Sequence, residues 1–286
     1  MTVFFLIISI LCFVLYFKQK HKTKETIPLP NTPKKQYELG FNVMLRSLKA
    51  VEIVPDVTAI KQKKRLASEF PEIKYGTLTK STKIESLANF VVIDIETTGI
   101  ALTNKIIEVC AIKFEDFNVV DCFTTLINPE RDIPEETSEV NHITNEMVKD
   151  APKLHQIAEQ LKDYVGSYPI VAHNAQFDLR HLFVRGIDFT DNKVYDTLQL
   201  AQKIIKKSEV FNYKLTTLCE YLYYGLDLDN THRATTDCFA AGFLFEELCR
   251  IKIEEYQSEF LEQVFQKHEI QQEDTTINKE LESNIS

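Results

Sequence analysis

Asp94 and Glu96 stand two residues apart at the end of a short, β-branched apolar run, Phe90–Ile95. In an extended chain a period of two puts both carboxylates on one face, a few ångströms apart. Carboxylates held that closely repel, and the usual relief is a divalent cation. Thr97-Thr98-Gly99 follows directly, so the pair caps a buried strand instead of decorating a surface. Two further acids share this logic. Asp178 closes His173-Asn-Ala-Gln-Phe-Asp178, in the first turn of a helix that follows a strand, and Asp237 closes His232-Arg-Ala-Thr-Thr-Asp237, at the start of a long helix. Singly, each reads as a negative charge complementing a helix dipole. Together, the four carboxylates can form a cage of hard oxygen ligands for two metal ions. His232, five residues before Asp237, is a candidate general base, with an unperturbed pKa of about 6.5.

The elements that must position these groups are legible from periodicity. Strands are predicted over Phe90–Ile95, Lys105–Phe114, Val119–Ile127 and Pro169–Ala172, with a tight acidic turn at Glu115–Asn118 and a last short strand beginning at Val194. Helical spacing marks Lys153–Val165, stopped by Gly166, and Phe177–Arg185, a helix through Ile205, Lys214–Tyr223 and Thr236–Ile251. Three sequential strands followed by helix–strand alternation make an α/β fold, a mixed sheet with helices on it.

Composition removes other chemistries. None of the seven glycines forms a phosphate-cradling loop, and the six cysteines include no C-x-x-C pair. Scattered among apolar neighbours, those cysteines read as reduced, buried thiols. The net charge of −9 hides an asymmetry: residues 18–65 carry 12 Lys and Arg against four Asp and Glu, and the rest carries 21 against 38. An acidic body argues against wrapping long nucleic acid, though not against an enzyme that grips one chain end.

Val3–Phe17 is apolar but for Ser9 and reads as a transmembrane anchor (residues 1–17). Its helical length is about 22 Å against a hydrocarbon core of ~30 Å, with flanking residues supplying the remainder. Lys18, Lys20, Lys22 and Lys24 follow, which puts the body on the cytoplasmic side of the cell membrane. Residues 18–35 are a basic, proline-rich linker and 36–85 a helical accessory segment. Residues 86–252 form the catalytic domain, and 253–286 a helical extension with an acidic tail expected to be disordered from about Glu269. The Lys61–Arg65 cluster could meet nucleic acid or lipid, or form a solvated helix face.

The three motifs around Asp94/Glu96, Asp178 and His232/Asp237 resemble those of the DnaQ-like, DEDDh-type 3′–5′ exonucleases, from about Phe90 to Arg250. Asn141-His-Ile-Thr144, Ala151-Pro152 and Tyr195-Asp-Thr197 are similar to that family's connecting segments. The resemblance implies a ribonuclease-H-like fold, a five-stranded mixed sheet with its second strand antiparallel. It also implies two Mg²⁺ or Mn²⁺ ions on Asp94, Glu96, Asp178 and Asp237, with His232 taking the proton of the attacking water. Nucleoside 5′-monophosphates would leave the 3′ ends of nucleic acid, with DNA ahead of RNA although no residue reads a 2′-hydroxyl. Thr97, Asn174 and Phe177 would shape the terminal-nucleotide pocket or simply pack, and Asp196 is structural. Two other readings stay open: trimming of RNA or short oligonucleotides, and a non-catalytic membrane adaptor that retains the fold. A soluble enzyme would follow if residues 1–17 were not used as an anchor.

Overall fold

The computed structural model describes residues 50–61, 63–223 and 233–283, with side chains as far as Gln263. Five strands form one sheet in the order β3-β2-β1-β4-β5: β1 (Phe90–Thr97), β2 (Ile106–Glu115), β3 (Asn118–Leu126), β4 (Ile170–Ala172) and β5 (Val194–Asp196). β2 runs antiparallel to both β1 and β3, whereas β4 and β5 are parallel to β1. This is a five-stranded mixed sheet with its second strand antiparallel, as the resemblance implied. The helices are α1 (Glu135–Asn141), α2 (Asn145–Val148), α3 (Leu154–Val165), α4 (Ala175–Phe183), α5 (Thr197–Ile204), α6 (Leu215–Tyr223) and α7 (Ala234–Ser283). The short α1 and α2 escape a reading based on periodicity, because neither is long enough to repeat an apolar stripe.

Both faces of the sheet are buried, so β1 reads as a continuous apolar run. Val91, Ile93 and Ile95 pack with Ile157, Leu161, Leu179 and Leu182 from α3 and α4. Phe90 and Val92 pack on the opposite face with Phe239, Leu244 and Phe245 of α7. Strand alternation therefore turns Asp94 and Glu96 toward the face that carries α7. The Phe90 and Phe114 rings stack at 4.7 Å between centroids, and Phe245 meets Phe90 edge-on at 5.0 Å. Cys110, Cys122, Cys219, Cys238 and Cys249 are free and buried, as expected of reduced core thiols.

Residues 50–85 differ from the helical segment expected there. They run extended, with 3-10 turns only at Ala67–Glu69 and Ile84–Leu87. The apolar spacing that suggested a helix (Tyr37, Phe41, Met44, Leu45, Leu48) lies outside the described residues. Pro55, Pro71 and β-branched neighbours disfavour helix in the remainder. Ala50 bridges to Cys122 on edge strand β3 and Tyr75 to Val194 on the opposite edge strand β5. This strap thus engages both sheet edges, whose backbone groups would otherwise lack partners. The sheet and its helices through Ile253 form one compact unit, and the described residues of the other, Glu254–Ser283, are helical. Helix continues past Glu269, where composition suggested disorder, since no Gly or Pro follows Gly242 to end it. The apolar run Val3–Phe17 lies outside the described residues, among which no helix is long and apolar enough to cross a membrane.

Gly242 is where α7 comes closest to the sheet: a Cβ there would lie 2.3 Å from Cζ of Phe114. Phe114 cannot yield, being stacked on Phe90 and touched edge-on by Phe243. Gly242→Ala is therefore expected to lower stability by about 1–3 kcal/mol through overpacking. That outweighs the helix-propensity gain of at most ~1 kcal/mol, and urea unfolding checks the sign.

Candidate active site

Four carboxylates from three elements, β1, α4 and α7, converge at the carboxyl end of β1. Oxygen atoms of Asp94, Glu96 and Asp237 lie within 4.8 Å of one another. Asp178 stands outside that trio but within its field: its negative charge is among those that push the Asp94 carboxyl up. Buried on α4, it accepts the Ile95 backbone N–H at 3.2 Å, which ties the first turn of α4 to the strand bearing Asp94 and Glu96. His232 lies outside the described residues.

Burial dominates the electrostatics. It raises the Asp94 and Asp178 carboxyls well above the ordinary range, and neighbouring anions add to the effect. Glu96 is pushed up to about 8 by burial and by the charges of Asp237 and Glu108, against a lowering hydrogen bond from the Asn141 side chain. Clustered, desolvated carboxylates of this kind fit a hard divalent cation, which supplies the missing positive charge with oxygen-only ligands.

Two positioning groups lie beyond the motifs read from the sequence. Glu108 on β2 sits directly opposite Glu96 in the antiparallel register, a like-charge pair that would ordinarily open the ladder. Its buried carboxylate instead receives Arg233 in a two-pronged pair, from Nε at 3.0 Å and from the terminal nitrogen at 2.7 Å. It also accepts the Ala234 backbone N–H at 3.1 Å. Glu108 thereby fixes the residue after His232 and the first turn of α7, three residues before Asp237. The available signal was a lone acid within the otherwise apolar run Ile106–Ile112. Asn141, buried at the end of α1, accepts the Ile143 N–H at 3.1 Å while its amide faces Glu96. It belongs to a segment singled out above, but nothing in its type revealed the contact.

Asp196 is structural, as expected. Its carboxylate accepts the backbone N–H groups of Asn174 at 3.0 Å and Ala175 at 3.1 Å, and that of Leu198 at 2.9 Å. One buried acid thus caps α5 and holds the entry to α4, where Asn174 is left-handed with φ 67°. His173 is locked between Thr197 Oγ1 at 2.9 Å and the Tyr213 carbonyl at 3.0 Å, and burial lowers its pKa. Of the three predicted pocket residues, Thr97 is buried and donates its hydroxyl to the Gly99 carbonyl at 2.7 Å. Asn174 is exposed, and Phe177 is half-buried with its ring 4.6 Å from that of His181.

Comparison with known proteins gives the family. The exonuclease family model RNase_T matches residues 91–245. PolC-type DNA polymerase III of Oceanobacillus iheyensis is 37% identical over 179 residues, covering 60% of this chain and 12% of the polymerase. The Bacillus cereus protein of the same description is 34% identical over 170 residues, covering 58% and 12%. This chain therefore spans about an eighth of the length of the curated relatives it matches. Exonuclease X in complex with 5′ overhanging duplex DNA is a structural neighbour at 26% identity and a TM-score of 0.44, over 56% of this chain and 91% of that one. Over residues 91–245 the chain belongs to the exonuclease family, with the DnaQ-like, DEDDh-type nucleases that its three motifs resemble.

Proposed function

We propose that this protein is a metal-dependent 3′–5′ exonuclease that removes nucleoside 5′-monophosphates from the 3′ ends of nucleic acid, DNA ahead of RNA. The observation that carries the reading is the convergence of Asp94, Glu96 and Asp237 oxygens within 4.8 Å, with buried Asp178 beside them, inside an exonuclease-family domain. Asp94, Glu96, Asp178 and Asp237 would hold two divalent cations of the Mg²⁺ or Mn²⁺ class, which when bound would neutralise phosphate charge and make water easier to deprotonate. His232 accepts the proton of the attacking water. The water oxygen bonds to the terminal phosphorus as the bond to the neighbouring 3′-oxygen breaks, and that oxygen takes up a proton. Glu108 and Arg233 act through position, by holding the backbone that precedes Asp237. Asn174 and Phe177 border the terminal nucleotide, and the Thr97 hydroxyl shapes the turn beneath it. We place the enzyme at the cytoplasmic face of the cell membrane, on the support of the apolar run Val3–Phe17 and the lysines that follow it. Native protein recovered wholly in the soluble fraction would remove that part of the reading.

The direct test incubates 5′-labelled single-stranded DNA and RNA of matched sequence with Mg²⁺, with Mn²⁺ and with chelator. A metal-dependent ladder shortening from the 3′ end is expected. Asp94→Ala should abolish it, and His232→Ala should slow it by about 10²–10⁴-fold, the range for a general base. Folded protein that cleaves nothing, yet still binds nucleic acid, would favour the adaptor.

The carboxyl shifts give a second test. Glu96 in the folded chain holds its proton to about pH 8, whereas the unfolded chain releases it near its ordinary value of 4.5. The unfolded state therefore binds fewer protons between those limits, and stability falls as pH rises through that window. Asp94 and Asp178 act in the same direction. Without divalent cations Tm should fall from pH 5 to pH 8, and Mg²⁺ or Mn²⁺ should restore more of it at pH 8. Equal stabilisation at both values would contradict metal binding by these groups.

Glu108→Ala strands Arg233 and the Ala234 N–H. Arg233 is one-third exposed and can be hydrated, so the loss is about 1–3 kcal/mol, and displacement of the α7 terminus should lower kcat more than it raises KM. Arg233→Lys keeps the charge but loses the two-pronged geometry and should show a milder form of the same pattern.

A further inference from the structure

The strap over residues 50–85 precedes the stretch matched by the exonuclease family model, and it carries the densest positive charge among the described residues. Its path is fixed at both ends of the cluster. Lys61 Nζ pairs with Glu130 at 2.6 Å, and the Arg65 backbone N–H donates to the Val184 carbonyl at 3.2 Å. The Arg65 guanidinium lies 4.7 Å over the Phe183 ring and pairs with Asp188. Between these anchors Lys63 and Lys64 are exposed, and among the described residues neither meets a carboxylate. With Arg65, Leu66, Glu69 and Phe183 they line an open groove of about 800 Å³.

The strap lysines act on Lys105, in the loop that leaves the carboxylate-bearing strand β1. Arg185, just beyond α4, donates to the Leu102 and Asn104 carbonyls of the loop between β1 and β2. Lys105 closes that loop by exchanging two hydrogen bonds with Thr98: its N–H donates to Thr98 Oγ1 at 3.0 Å, and its carbonyl accepts the Thr98 N–H at 2.8 Å. Thr98 is two residues from Glu96. Partial burial, and then the charges of Lys64, Arg185 and Lys61, depress the Lys105 ammonium against a raising effect of Glu130, so the strap lysines lie within electrostatic reach of the loop. Lined by Lys63, Lys64 and Arg65 against the single acid Glu69, on an otherwise acidic body, the groove matches the charge of a phosphate backbone.

We propose that Lys61, Lys63, Lys64 and Arg65 of the strap, with Lys105, form a binding strip for the phosphate backbone of the strand whose 3′ end occupies the carboxylate site. The strip rests on the exonuclease reading for its second half, the location of the 3′ end, while backbone binding stands or falls separately.

The test uses the full chain in detergent micelles and the double variant Lys63→Gln/Lys64→Gln, both solvent-facing positions, with melting curves matched. Binding of a fluorescent 20-nucleotide single strand is followed by anisotropy in chelator, where no cleavage interferes, across a salt series. The variant is expected to bind about tenfold more weakly near 0.1 M salt. Its slope of log affinity against log salt should flatten by about 1.4, because two fewer phosphates of a single strand are neutralised. In the cleavage assay KM for the 20-mer should rise similarly, with hydrolysis of a dinucleotide unchanged. Unchanged affinity and salt slope would overturn the strip even if cleavage is robust. A wild type that binds with the expected slope but cleaves nothing would sink the exonuclease reading and leave the strip standing. Vesicles of phosphatidylcholine with and without phosphatidylserine complete the set. Loss of the preference for anionic vesicles in the variant, with strand affinity intact, would assign these lysines to lipid and overturn the proposal.

Discussion

Everything near the site follows from burying several carboxylates that repel one another. Asp94, Glu96, Glu108, Asp178 and Asp237 share the carboxyl end of β1, and burial pushes the carboxyls of Asp94, Glu96 and Asp178 up. Such a cluster is costly in the absence of positive charge. The fold must therefore hold each acid where a cation can reach it and separate the one acid that serves structure. Glu108 is that acid. Directly opposite Glu96, it is neutralised by Arg233 and by the first backbone amide of α7.

The same economy recurs at α4. Asp196 accepts the amides that open α4 and the one that follows it into α5, so a single buried acid sets two helices on the ends of β4 and β5. Asp178 then reaches Ile95 from a helix whose start cannot drift. The hydrogen-bonded acids are thus of two kinds: those used up on backbone amides and guanidinium, and those left able to bind a cation. Asp178 is intermediate, with one oxygen on the Ile95 amide.

The strap adds a feature to the exonuclease domain. By bridging to β3 at Ala50 and to β5 at Tyr75 it engages both edges of the sheet. Between those bridges it lays its lysines beside the loop joining β1 and β2. An accessory segment can in this way stabilise a sheet and bring charge to its active end at once.

Period-two alternation in β1 and the order of the strands and helices made the mixed sheet legible, and local geometry alone puts Asp94 and Glu96 on one face. Periodicity also finds the longer helices, while α1 and α2 are too short to show any. Tertiary structure alone decided that Glu108 faces Glu96 and is answered by Arg233, 125 residues away in sequence. It also decided that Asn141 reaches Glu96, and that residues 50–85 form an extended strap. These are pairings between distant segments, and no local propensity encodes which buried group a side chain will meet once the sheet has brought the segments together.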